Sequence, residues 1–211
     1  MGQQTRSDNR TMTRNDRQPA VAGAFYAGDQ PSLKREVGEL LDQAETEPGA
    51  APKAVIAPHA GFRFSGPVAA RVYASLASAR DRIQRVVLIG PSHHVPLRGL
   101  AASSADRFTT PLGPVPVDRD GVETALAQPE VQTLDAAHAR EHSLETQLPF
   151  LQAVLGHFRI VPLVAGDTTP EQVGGLLEAL WSGPETLIVI SSDLSHFHDD
   201  ATARRLDSAT A

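Results

Sequence analysis

The segment from Arg85 to Pro96, RVVLIGPSHHVP, constrains the fold more than any other part of the chain. Val86, Val87, Leu88 and Ile89 leave no polar position for a solvated face, so the run suits a strand covered on both sides. The run breaks at Gly90-Pro91 and is followed by Ser92, His93 and His94. The same order occurs at Ala54-Val55-Ile56-Ala57, followed by Pro58-His59, and at Leu187-Ile188-Val189-Ile190, followed by Ser191-Ser192-Asp193 and His196. In open α/β sheets ligands collect beyond the carboxyl ends of the strands. Imidazoles delivered from three strand ends are therefore expected to meet in one cleft.

A chain of 211 residues is long enough for one α/β domain with a sizeable core, and nothing in it demands two. The expected architecture is a mostly parallel or mixed central sheet flanked by helices. A formal charge of −6 argues against nucleic acid as a partner, because phosphate neutralisation needs a basic surface. The sequence contains no cysteine, which excludes disulfides and thiolate sites, so a metal here takes nitrogen and oxygen ligands. No apolar run approaches the roughly 18 residues of a membrane span and no signal-peptide core opens the chain, so a cytoplasmic protein is expected.

Residues 1–18 are rich in Gln, Arg, Asn, Asp and Thr, a composition that cannot offset its own ordering entropy, and are expected to form a disordered extension ahead of a domain over 19–211. The apolar stretch from Pro19 to Tyr26 is expected to lie against the domain. Pro31 suits the first turn of a helix whose stripe is Leu33, Val37, Leu40 and Leu41. Residues 47–52 read as a loop from their Pro and Gly content. After the Lys53 to Ala57 strand and the His59 loop, Pro67 is expected in the first turn of a helix with Ser65 as its cap. The prolines between Phe108 and Val117 predict turns and short edge strands. A helix over 119–128, an amphipathic helix through Leu144, Leu148, Leu151 and Leu155, a strand over 159–164, a helix from Thr169 to near Trp181 and a strand over 186–190 follow.

Neutral imidazole is a common ligand for divalent transition metals, which makes His59 and His93 candidate metal ligands. His94, pointing away from its neighbour, is expected to be structural or to support a ligand. Asp193 and His196 allow two readings: a carboxylate orienting a general acid or base, or a helix cap with an exposed imidazole. Glu141 and His142, placed ahead of a helix, are expected to be presented rather than buried. His138 and His157 are expected at the surface.

Taken together, PAVAGAFY, IAPHAGFRFSGPVAA, LIGPSHHVPL, EHSLETQLPFLQ and ISSDLSHFH resemble the Memo family, which includes the bacterial proteins called AmmeMemoRadiSam system protein B. The resemblance runs from about Arg17 to the end. It implies the fold of class III extradiol ring-cleaving dioxygenases, which use non-haem Fe(II). By motif, His59 of PHAG and His93 of PSHH match the family's two metal-ligand histidines, with Fe(II) or copper as the metal. His196 matches the base position, with Asp193 beside it and His142 lining the pocket as catalytic candidates. The family's third ligand is a cysteine of a Cys-Gly motif lying beyond the point where this chain stops, which implies a C-terminally truncated domain. The resemblance further implies metal-dependent redox activity or, as the other reading, a non-catalytic module that takes a peptide or small-molecule ligand. Its implied partners are a radical SAM protein and an AMMECR-type protein.

Overall fold

The computed structural model describes residues 15–46 and 49–210. Its centre is a mixed six-stranded sheet in the order β2-β9-β3-β8-β4-β7. The strands are β2 (Ala54–Ala57), β3 (Arg85–Pro91), β4 (Leu100–Ala102), β7 (Val131–Thr133), β8 (Arg159–Ala165) and β9 (Thr186–Ser191). Strands β2, β9, β3 and β8 run parallel, while β4 is antiparallel to β8 and parallel to β7. In β3 the residues from Val86 to Gly90 are all buried, as expected of a strand covered on both faces. Strand β3 does not end at Gly90-Pro91: both residues stay in register with Val164 and Ala165 of β8.

Helices α1 (Gln30–Asp42), α2 (Phe62–Ala74) and α5 (Leu148–Val154) pack together, as do α3 (Arg119–Leu126) and α6 (Pro170–Leu180). The crossover through α2 moves from β2 to β3, and the one through α6 moves back from β8 to β9. Right-handed connections in opposite directions put these helices on opposite faces of the sheet. Helix α1 buries Leu33 and Val37, and Asp29 caps it by accepting from the Ser32 amide at 3.0 Å. Helix α2 starts five residues before Pro67, not at it. Its start is fixed by the Phe62 amide on the Phe25 carbonyl and by burial of the Phe62 ring against Tyr26 and Phe150. Ser65 is no cap: its hydroxyl donates to the Ala60 carbonyl. Pro67 deprives the helix only of a bond to the carbonyl of exposed Arg63, a loss solvent can cover.

A second, small sheet joins β1 (Asp16–Arg17), β5 (Arg107–Thr110) and β6 (Gly113–Pro116), with β1 parallel to β5 and β6 antiparallel to it. The expected disordered extension therefore reaches too far. Residues 15–18 belong to the fold because Arg17 is buried over Phe108 and hydrogen-bonded to loop carbonyls. The rest of that segment, and residues 47 and 48 of the expected loop, lie outside the described residues. The terminal helix α7 (Asp200–Thr210) buries no side chain. No described helix is long and apolar enough to cross a membrane.

Candidate metal centre

The parallel strands β2, β3 and β9 end on one edge of the sheet, and His59 follows the first of them directly. The residue is 4% exposed, and its Nδ1 lies 2.8 Å from the Ser191 hydroxyl at the end of β9. That hydroxyl has one proton, which goes to the Ser143 carbonyl at 2.6 Å. Nδ1 of His59 must then be the donor, which leaves the Nε2 lone pair free. Buried Gln147 holds Ser191 in turn: its amide nitrogen donates to that hydroxyl and to the Pro58 carbonyl, while its oxygen accepts from Tyr73. Burial lowers the pKa of His59, against the pull of Asp193, so the ring is neutral at pH 7.

His93 is fixed by Glu141. The carboxylate accepts from the His93 amide at 2.6 Å and from Nδ1 at 2.8 Å, so Nδ1 is the donor in this ring too and Nε2 is the nitrogen left for a ligand. The amides of His142 and Ser143 donate to the same carboxylate, each at 2.9 Å. Burial alone would push the Glu141 carboxyl up; the hydrogen bonds from His93 and Ser143 outweigh it and hold the group at about 2. Glu141 is 1% exposed, contrary to the expectation that it would be presented to solvent. It is buried because the loop after α4 (Asp135–Ala139) folds under the end of β3. Gly90 permits this approach, since a Cβ there would meet Ser143 Oγ at 2.8 Å.

His142 stacks on His93 with ring centres 4.4 Å apart and meets Phe25 at 4.8 Å. Burial, reinforced by neighbouring His93, lowers its pKa to about 4. One nitrogen from each of His59, His93 and His142 lies within 4.8 Å of the others. His94 stands to one side, exposed, with its ring 6.0 Å from His142.

Asp193 and His196 occupy the stretch between β9 and α7. Asp193 accepts from the His59 amide at 2.6 Å, and its other oxygen lies 3.8 Å from His59 Nε2 and 3.5 Å from His196 Nε2. Asp193 thus bridges the two imidazoles; Asp199, not Asp193, accepts from the amides at the start of α7. His196 itself is half exposed and lies outside the three-histidine group.

A family model described as Memo-like protein matches residues 17–210. A MEMO1 family protein of Methanobrevibacter smithii is 36% identical over 208 residues, covering 90% of this chain and 73% of the relative. One from Thermotoga petrophila is 37% identical, with 91% and 74% covered, and one from Aquifex aeolicus is 37% identical, with 90% and 71% covered. The chain belongs to the Memo family.

In this Memo protein the donor set fits a transition metal. Two imidazoles present Nε2 with Nδ1 tied back, the arrangement that second-sphere hydrogen bonds impose on metal-ligating histidines. The third imidazole within reach is His142, which sequence reasoning placed in the pocket lining. The stacking that brings it beside His93 depends on the burial of Glu141, which spacing does not reveal. The supporting roles of Glu141, Gln147 and Ser191 were not read from the sequence, although EHSLETQ contains the first two. His138 is a further correction: it is 1% exposed, with Nε2 donating to the Ala101 carbonyl and Nδ1 without a partner among the described residues. Its ring is trapped edge-on against Phe108, and burial lowers its pKa to about 4.

Proposed function

We propose that this Memo protein holds a single Fe(II) or copper ion between His59, His93 and His142 and acts as a metal-dependent redox enzyme of the dioxygenase-like class. The observation that carries this reading is the convergence of three imidazole nitrogens within 4.8 Å at the carboxyl edge of the sheet. Such an ion, when bound, would supply Lewis acidity and electron transfer to substrate or O2. The chain's own residues do the rest. Ser191 and Glu141 hold the Nδ1 protons of His59 and His93 and so keep each Nε2 turned to the cleft. Phe25 and the stacked His93 and His142 rings remove water from one wall. His196, half exposed and 3.5 Å from Asp193, takes or returns a proton at Nε2 while the carboxylate steadies the imidazolium.

The test is metal loading of the purified protein with Fe(II) or Cu(II), followed by metal analysis. One equivalent is expected in the parent protein and none in the His59→Ala/His93→Ala double variant. Unchanged metal content in that variant removes the proposal.

A second reading rests on Leu194 and Phe197, apolar residues exposed on the segment that carries His196. They suit contact with a peptide or small apolar ligand without catalysis. Saturable peptide binding that persists after chelation would favour it. A radical SAM protein and an AMMECR-type protein are the partners proposed for either reading.

A further inference from the structure

Arg17, the residue expected to lie in a disordered extension, is 7% exposed and has all three of its guanidinium nitrogens engaged. Nε donates to the His138 carbonyl at 3.0 Å, Nη2 to the Glu141 carbonyl at 2.5 Å, and Nη1 pairs with the Glu145 carboxylate. These groups bracket the loop from which Glu141 reaches His93 and on which His142 sits. Glu145, fully buried, completes the assembly: it also accepts from the amides of Ala20 and Val21, at 2.7 and 3.0 Å, and from the Tyr26 hydroxyl at 2.6 Å. One carboxylate thereby fastens the stretch from Ala20 to Tyr26 from within, and that stretch brings Phe25 against His142.

We infer that Arg17 is a positioning residue for the metal ligands, fixing the loop 138–145 so that Glu141 and His142 face His93. This inference rests on the proposed three-histidine metal site. A guanidinium is suited to the task because its planar fork reaches two carbonyls and a carboxylate in fixed directions, which an ammonium does not reproduce. Here two of its three partners are main-chain carbonyls of the loop that carries the site. The role runs through Glu141, because the main chain that Arg17 holds is that of the residue whose side chain orients His93.

The experiment is Co(II) titration of the full chain by visible absorption, at a temperature where circular dichroism shows each variant folded. The parent protein is expected to bind one Co(II), and His59→Ala/His93→Ala none; failure of either result sinks the metal site itself, not the role of Arg17. With that site in place, Arg17→Met and Arg17→Lys are each expected to weaken Co(II) binding about 10-fold, the low end of the loss seen when support of a ligand is removed. Their absorption bands should shift as the ligand geometry loosens. Leu176→Ala, in α6 on the other face of the sheet, is the control for destabilisation alone and should leave affinity and spectrum unchanged. If Arg17→Met does not fold, Arg17→Met/Glu145→Gln removes both buried charges together and serves in its place. Co(II) affinity within threefold of the parent, with an unchanged spectrum, in any folded Arg17 variant overturns the inference.

Discussion

His59 and His196 both follow strands that end on the same edge of the sheet, yet their surroundings differ in kind. The His59 side chain is 5% exposed and that of His196 is 54% exposed, although both lie within 4 Å of Asp193. His59 belongs to a buried network in which each proton has an assigned acceptor: Tyr73 to Gln147, Gln147 to Ser191, Ser191 to Ser143. His196 is held from a segment that leads into a helix with no buried side chain. The groups that anchor the Nδ1 side of His59 and His93, Ser191 and Glu141, sit in the interior, and the group that would exchange protons with solvent sits at its margin. The difference separates a half built on buried anchors from an adaptable half of one cleft.

The comparison breaks first if the interior half proves tolerant of change. Glu141 accepts from three amides and one imidazole, so Glu141→Ala strands four donors, three of them main-chain amides. Loss of such a buried carboxylate is expected to cost about 3 to 5 kcal/mol. Metal affinity should fall on the order of 100-fold, because both His93 and His142 lose their support. Urea unfolding and Co(II) titration of the same sample measure the two effects, and a loss below 1 kcal/mol would show that the loop is not organised by this group.

Acid provides the next probe, because it acts on a buried imidazole that anchors the same loop. Unfolded His138 takes up its proton near pH 6.5, whereas in the folded protein burial delays this to about pH 4. Between those values the unfolded chain binds more protons, so stability falls as the pH is lowered from 6.5 to 4 and this group adds no further loss below. At 1.36 kcal/mol per pH unit the full loss is about 3 kcal/mol. Unfolding free energies of the parent and His138→Asn across this range isolate the effect, and equal slopes in the two proteins would assign it elsewhere.

A smaller effect is expected at Ser191. Ser191→Ala removes the acceptor for His59 Nδ1 and the donor to Ser143, while Gln147 keeps its bonds to Pro58 and Tyr73. A cost of about 1 to 2 kcal/mol and a 10-fold weaker metal affinity are expected, since the tautomer of His59 is no longer imposed. Nitrogen chemical shifts of the His59 ring report the tautomer directly, and an unaltered ring would show that Ser191 is dispensable.

The elements that position the site were legible because their signals are local. Continuous apolar runs marked β2, β3, β8 and β9, and the stripe through Leu33 and Val37 marked α1. Legibility failed where long-range burial decides. Arg17, Glu141 and Glu145 look like solvated charges in sequence, but Arg17 and Glu145 pair across more than a hundred residues and the Glu141 carboxylate is met by His93 and by amides of its own loop. His138 was misplaced for the same reason, since its partner is a carbonyl of β4. The antiparallel entry of β4 carries no distinct residue pattern over three positions. His59 and His93 were readable because they follow strands, whereas the approach of His142 to them depends on a fold-back loop that periodicity does not encode.

The weakest expected effect on metal is the sharpest test of the division between the two halves. Asp193→Asn keeps the size of the side chain and an oxygen able to accept from the His59 amide. The negative charge between His59 and His196 is lost, and with it the stabilisation of a protonated His196. If the metal is held by the interior half alone, its affinity should change less than threefold in Asp193→Asn and in His196→Ala. Turnover of an oxidisable substrate should instead fall 10-fold or more in both, within the usual range for loss of a general acid or base. The double variant should be no slower than the worse single one, because the two groups act as one unit. A large loss of metal affinity in Asp193→Asn would make Asp193 part of the ligand sphere, and the boundary would then run between Asp193 and His196.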